Sequence, residues 1–300
     1  MKYGLIGHLC LDVIHLADGT EVQSYGGIFF SLASLANIVD DGDIIYPVFG
    51  VGDVDYDKFI ERIKNYSNVV TDGIFKFEGF TNRVHLFYQD RKERTECSMH
   101  IAKPIEFERL KILLDAGVDG IFINMISGFD IEFEVLKRLR KNFNGYIHFD
   151  IHSATLGVDE RNIRFRRRML DWKEWLENVD TVQMNEFEAR SIGEGWWNDD
   201  MLAENVLNLG VRAMVITRAS LGATVYYFDD EIKRADFKAY EVDVVDPTGC
   251  GDVFGSAFFY KYSKTLDPLV STEFANYVAG LNATIPGSTE IDKLRELVKR

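Results

Sequence analysis

Short apolar runs rich in Val and Ile alternate along this chain with amphipathic stretches of helical spacing, a pattern that points to an α/β fold around a largely parallel sheet. The runs predict core strands at Tyr3–Ile6, Ile44–Phe49, Gly120–Asn124, Tyr146–Phe149, Thr181–Met184, Ala213–Thr217 and Ala223–Phe228. Between them, helices are expected over Ile28–Ile38, Asp55–Lys64, Glu106–Asp115, Glu132–Asn142, Phe165–Glu177, Glu186–Ile192, Met201–Asn208, Val253–Lys261, Pro268–Ala283 and Ile291–Lys299. Two regions break the rhythm. Asp12–Ser24 and Gly73–Met99 read as strand material with no helix, and Val84, Leu86 and Tyr88 share one face at period two. An antiparallel edge extension of the main sheet would account for both.

Composition narrows the class of protein. In 300 residues, 46 % hydrophobic content is ample for a core. A net charge of −14 disfavours nucleic acid and anionic membrane as partners, while leaving room for a local anion pocket. Three cysteines, Cys10, Cys97 and Cys250, are too few and scattered for a disulfide framework, so a reducing cytoplasmic setting is expected. The apolar start Met1–Gly7 is soon interrupted by His8 and Asp12 and reads as a first strand, and no apolar run is long enough to span a bilayer.

The chemistry concentrates at Val245-Asp246-Pro247-Thr248-Gly249-Cys250-Gly251-Asp252-Val253-Phe254. After a β-branched lead-in (Val242, Val244, Val245), two glycines flank one small residue and end on a carboxylate where a helical apolar run begins. Amide N–H groups at a helix start attract phosphate oxygens, and glycines let the backbone approach them. A carboxylate in the first turn can take a proton from an attacking alcohol. A capped strand-to-helix turn is the bland alternative.

This segment resembles the signature of the ribokinase-like, PfkB-type carbohydrate and nucleoside kinases, usually Asp-Thr-x-Gly-Ala-Gly-Asp, with Pro247 and Cys250 as departures. Further matches follow in family order. Gly7-His8-Leu9-Cys10-Leu11-Asp12 is similar to the family's substrate-binding strand exit, although Asn often stands where Cys10 is. Tyr25-Gly26-Gly27-Ile28-Phe29-Phe30-Ser31 is similar to Gly-Gly-x-x-x-Asn, with Ser31 replacing Asn. Asn185-Glu186-Phe187-Glu188 matches Asn-x-x-Glu, which a plain N-cap with a capping-box Glu would also satisfy. Thr217-Arg218-Ala219-Ser220-Leu221-Gly222 is similar to Thr-x-Gly-x-x-Gly, with Ala219 in place of Gly, and Phe274–Ala279 resembles a helix lining the adenine pocket.

The resemblance implies a single three-layer α/β/α sandwich over 1–300, with a small β-sheet lid formed by about 12–24 and 73–99 that also supports a homodimer. It implies transfer of the ATP γ-phosphate to a hydroxyl of a sugar or polyol such as inositol. Gly249, Cys250 and Gly251 would supply the anion hole, and Asp252 the base, ionised at neutral pH by its place at a helix start. Asp12, Gly26, Gly27, Ser31 and His152 would hold the acceptor; Asn185, Thr217, Gly222, Thr248 and Asn276 the nucleotide. Mg²⁺ would be held through water by Asn185 and Glu188, and a monovalent cation such as K⁺ near Asp246 and Thr248 with the carbonyls of Thr284 and Gly287. A nucleoside acceptor is the enzymatic alternative, with Phe29, Phe30 or Phe80 stacking a base. A non-catalytic ATP-binding sensor of the same fold is the other.

Two features are given ordinary readings. The basic run Arg161, Arg164, Arg166, Arg167 and Arg168 is expected on an amphipathic helix as a solvated face paired with nearby acids, rather than as a phosphate site. His148 and His152 are separated by strand geometry and are not expected to share a metal. Trp196 and Trp197 fit either packing under a loop or an oligomer contact.

Overall fold

The computed structural model describes residues 1–15, 19–88 and 94–299. In chain order its first half contains β1 (Lys2–Ile6), β2 (Leu9–His15), β3 (Glu21–Gly27), α1 (Ile28–Ile38), β4 (Ile44–Gly52), α2 (Tyr56–Ile63), β5 (Ile74–Phe77), β6 (Asn82–Tyr88), β7 (Arg94–Met99), α3 (Phe107–Ala116), β8 (Gly120–Asn124), α4 (Phe133–Asn142) and β9 (Tyr146–Asp150). The second half adds β10 (Leu156–Val158), β11 (Arg164–Arg166), α5 (Trp172–Leu176), β12 (Thr181–Asn185), α6 (Glu186–Ile192), α7 (Asp199–Leu207), β13 (Ala213–Thr217), β14 (Ala223–Asp229), β15 (Glu231–Phe237), α8 (Cys250–Thr265), α9 (Pro268–Ala283) and α10 (Leu294–Val298).

Nine strands form the central sheet in the order β15-β14-β13-β12-β9-β8-β1-β4-β5, parallel except for the terminal hairpins at β14 and β15. The central strands are buried end to end, as a parallel sheet covered on both faces requires, which is why they read as unbroken apolar runs. Helices α1 and α8 pack on each other and over β1, β8 and β9, with α9 against α8; α3 and α4 pack together, and α4 against α5. Between sheet and α8, Phe259 stacks with Phe122 and Tyr146 at centroid distances of 5.8 and 5.5 Å. The architecture is the expected α/β/α sandwich.

A four-stranded sheet, β3-β2-β6-β7, forms the lid. It is mixed rather than antiparallel, because β2 and β6 run parallel. The expected lid segments carry it, except that β5 joins the central sheet beside β4, and 16–18 and 89–93 lie outside the described residues. Val84 and Leu86 are buried on the face shared with Asp12 and Ile14.

Three local expectations are corrected. The helix predicted over Phe165–Glu177 shortens to Trp172–Leu176, and Arg164–Arg166 is instead a strand paired with Leu156–Val158. The lead-in before Asp246 is no strand: Val244 and Val245 are exposed, although Val245 N–H donates to the Ala283 carbonyl at 2.8 Å. Helix α8 begins at Cys250, three residues earlier than the apolar spacing suggests, since Gly249 rather than an apolar residue ends the turn.

Candidate active site

All the parallel strands aim their carboxyl ends at one edge of the sheet, where chemistry in such folds gathers. There, Asn124 ends β8, Asp150 ends β9, Asn185 ends β12 and Thr217 ends β13. Helix α8 meets this edge with its N-terminus. Its N-cap, Gly249, has φ +75° and ψ 0°, and a Cβ there would lie 2.2 Å from the Phe30 ring, so only glycine lets the turn sit this close to α1.

Of the three amides expected in the anion hole, that of Cys250 is turned inward and donates to the Pro247 carbonyl at 3.2 Å. Gly251 is exposed at the helix start and open on its outer side. The Cys250 thiol is structural. Its Sγ lies 3.4 Å from both the Ala279 carbonyl and Asn282 Nδ2, and burial pushes its pKa up.

Asp252 sits in the first turn of α8 and is almost fully buried. Asn124 Nδ2 donates to its Oδ1 at 2.8 Å and to Ser31 Oγ at 3.1 Å, while His152 Nε2 lies 3.8 Å from the same carboxylate oxygen. Burial raises the Asp252 pKa, opposed by His152 and by the Asn124 hydrogen bond. The sequence reading expected the helix terminus to keep this carboxyl at an ordinary, readily ionised value; desolvation outweighs that field. A base with a raised pKa is a stronger proton acceptor.

Two further carboxyls face the same edge. Gln183 Nε2 donates to Asp150 Oδ2 at 2.9 Å and to the Gly251 carbonyl at 3.0 Å, tying β9 to the catalytic turn. Burial, with Glu188 and Asp252 nearby, pushes Asp150 well above the usual carboxylate range. Burial likewise lifts Glu188 to about 7, with His152 pulling the other way. Asn185 and Glu188 form a complete capping box on α6: Asn185 Oδ1 accepts from the amides of Phe187 and Glu188, and Glu188 accepts from the Asn185 amide at 2.6 Å and its Nδ2 at 2.5 Å. The structural reading of that motif is therefore real, and outer lone pairs of the carboxylate remain for water. Among the described residues no three His, Cys, Asp or Glu side chains are grouped to ligate a metal directly.

Asp12 lies over the glycine pair. A Cβ on Gly26 would fall 2.1 Å from Asp12 Oδ2, so the glycine makes room for the carboxylate. Gly27 caps α1, whose first amide, Ile28 N–H, donates to the His8 carbonyl at 3.2 Å. Ser31 is fully buried and its Oγ accepts from Asn124 Nδ2, so it supports the amide that holds Asp252. Phe29 and Phe30 are core residues and not stacking platforms, whereas Phe80 is exposed under the Arg83 guanidinium in a separate cavity with His100.

On the nucleotide side, Ala219 adopts the left-handed φ of +48° that its glycine counterpart would take freely, so the turn is retained. Gly222 lies against the Phe237–Ala239 backbone, and Asn276 hydrogen-bonds the Lys238 carbonyl in a cleft shared with Phe237, Tyr240, Phe274 and Tyr277. Asp246 Oδ1 accepts from the Thr248 amide at 2.9 Å, and Gly287 and Ala283 lie beside it.

Glu96, His152, Arg164, Arg166, Asn185 and Glu188 line one cleft of about 500 Å³ at this edge. Sequence reasoning missed Asn124, Asp150 and Gln183, whose one available signal was a polar residue at or near the carboxyl end of an apolar strand. It also misplaced Arg164 and Arg166, which occupy the cleft wall. His148 is buried in the sheet against Thr181 at 2.7 Å, and Trp197 packs edge-on to Trp172 while Trp196 is exposed.

Residues 154–294 match the pfkB family carbohydrate kinases. A cytidine kinase of Thermococcus kodakarensis is 29 % identical over 267 residues, covering 87 % of this chain and 88 % of that protein. The chain is thus similar to the PfkB kinases in the sequence of its second half. The match indicates a phosphotransferase with an alcohol group as acceptor. Ribokinase from Thermotoga maritima superposes with a TM-score of 0.78 at 20 % identity, covering 99 % of this chain and 97 % of its own. A Burkholderia thailandensis nucleoside kinase in complex with inosine gives 0.76 at 15 % identity, covering 99 % and 96 %. No helix among the described residues is long and apolar enough to cross a membrane.

Proposed function

We propose that this protein is a PfkB-type kinase that transfers the γ-phosphate of ATP to a hydroxyl of a small polyhydroxylated acceptor, with Asp252 as base. The observation that carries this reading is the buried Asp252 carboxylate at the start of α8, oriented by Asn124 and 3.8 Å from His152, which lines a cleft with Asn185 and Glu188. Asp252 takes the hydroxyl proton, and His152 Nε2 lies 3.8 Å from its Oδ1. Amides of Gly249 and Gly251 face the transferring phosphoryl group, where fixed dipoles contribute most to the rate. Asp12 accepts hydrogen bonds from a vicinal diol across Gly26 and Gly27. Thr217, Gly222, Thr248 and Asn276 hold the nucleotide.

The Glu188 carboxyl oxygens and the Asn185 side-chain amide stand together at this edge, a donor set that fits a hydrated cation. Mg²⁺ would be held there through water by Asn185 and Glu188, neutralising phosphate charge when bound. Asp246 and Thr248 would hold a monovalent cation such as K⁺.

Asp12 and its glycines suit a sugar or polyol equally well as the ribose of a nucleoside. The nucleoside reading is favoured by the size of the cleft, by the apolar Leu156, Ile163 and Phe165 in its wall, and by the likeness to a cytidine kinase. The test is nucleotide consumption by purified protein with Mg-ATP against sugars, inositols and nucleosides. An acceptor-dependent rate that drops by at least about a thousandfold in Asp252→Asn, with ATP still bound, is expected. ATP binding with no acceptor-dependent transfer would favour the sensor alternative.

A further inference from the structure

Three polar side chains cross the central sheet in one row beneath the start of α8. Asn124 of β8 is the register partner of Asp150 of β9, and Asp150 that of Gln183 of β12, so all three project from the same face. They are 0, 2 and 2 % exposed. Burial of that depth penalises polar groups, and packing alone would be served by apolar residues at these places. Nor does the row satisfy itself: among the described residues Asn124 Oδ1 and Gln183 Oε1 have no hydrogen-bond partner. What it supplies is N–H groups aimed at the α8 turn, from Asn124 to the Asp252 carboxylate and from Gln183 to the Gly251 carbonyl.

The Gly251 carbonyl does not depend on Gln183 for a partner. It lies inside α8, where the amide of Gly255, four residues on, closes the helical bond. The bond from Gln183 Nε2 at 3.0 Å is therefore a second one, and the same nitrogen donates to Asp150 Oδ2 at 2.9 Å, which fixes the amide between strand and helix. The helix makes room for it. A Cβ on Gly255 would lie 3.2 and 3.3 Å from Gln183 Oε1 and Nε2 and 2.9 Å from the Phe122 ring. Two residues beyond Gln183, Asn185 caps α6 and bonds Glu188. One side chain thus joins the strand that ends in the Asn185–Glu188 pair to the helix that begins at the Gly249–Asp252 turn.

We propose that Gln183, anchored by Asp150, is a positioning residue for phosphoryl transfer: it sets the α8 turn at a fixed height over the strand that carries Asn185 and Glu188. The proposal rests on the transfer reading given above. In-line phosphoryl transfer leaves a protein little to do except hold the two ends of the reaction and stabilise charge between them. An offset of about 1 Å between such groups can cost about a hundredfold in rate. A clamp between the two sides of the site guards against that offset, which gives the buried row a use that packing does not.

Gln183→Met keeps length and bulk but removes the donor. It should bind Mg-ATP with a Kd within about threefold of the unmutated protein, while kcat with the acceptor found in the panel above falls about tenfold to a hundredfold. Asp150→Leu frees the amide and should lose as much, and Gln183→Met should add nothing to that loss. Asp150→Asn still presents an oxygen to Gln183 Nε2 and should recover most of what Asp150→Leu loses. Gly255→Ala displaces the Gln183 amide from the helix side, should lower kcat in the same range, and serves where Gln183→Met does not fold. Hydrogen exchange read by mass spectrometry follows the clamp without turnover: peptides over residues 249–256 should exchange about tenfold faster in Gln183→Met, and those over β8 and β13 at unchanged rates. Additive losses in the double variant, or a loss in Asp150→Asn equal to that in Asp150→Leu, would overturn the assignment. Full turnover and unchanged exchange in Gln183→Met overturn it while leaving the kinase reading intact. No turnover by any form of the protein, with faster exchange confined to 249–256, sinks the proposed function and supports the clamp.

Discussion

Replacing Gly249 by Ala perturbs the catalytic turn in a way whose cost can be worked from the geometry. The residue is left-handed at φ +75°, which costs a non-glycine residue about 1–2 kcal/mol. The new Cβ would also lie 2.2–2.4 Å from three carbons of the Phe30 ring, which is buried in the core and has no space to retreat. Overpacking of that kind costs about 1–3 kcal/mol, so the total is about 2–5 kcal/mol. That is less than the 5–15 kcal/mol typical of folded domains, and the variant should fold. Phe30→Leu removes ring atoms from the contact but leaves the backbone penalty. In a double-mutant cycle measured by urea denaturation, the steric part, about 1–3 kcal/mol, should reappear as favourable coupling. In turnover, Gly249→Ala should lower kcat by about a hundredfold, because the displaced amides no longer face the transferring charge. Additivity of the two substitutions within about 0.5 kcal/mol would refute the proposed clash, and an unchanged kcat would refute the role of the turn.

Ala219→Gly should raise stability by about 0.5–1 kcal/mol, because relief of the left-handed strain exceeds the added freedom of the unfolded chain; a lower unfolding midpoint would contradict this. Asn124→Ala removes a hydrogen bond that holds the Asp252 pKa down. Since the base works ionised and rate is lost as pH falls through its pKa, the acid limb of the kcat/KM profile should move to higher pH in this variant. A uniform loss at all pH values would show instead that Asn124 only supports packing.

The turn at Gly249–Asp252 was legible in the sequence because its requirements are local: two glycines, a helix start and a carboxylate in the first turn. The capping box at Asn185 and Glu188 was legible for the same reason. The strand at Arg164–Arg166 was not, because a run of arginines has the composition of a solvated helix, and only pairing with Leu156–Val158 and docking against Ser98 make it a strand. The lone polar residues Asn124 and Asp150 ended apolar runs without any motif around them.

The sequence by itself determined the α/β class, the order of most strands and helices, and the glycine turn that opens α8, since periodicity and glycine placement act over a few residues. Tertiary structure alone decided that Ser31 meets Asn124 in the core, that burial raises the Asp252 pKa, and that Glu96 and Arg164 pair in the cleft wall. Burial and long-range pairing set those properties, and both depend on residues 60 to 130 positions apart that only the folded chain brings within a few ångströms.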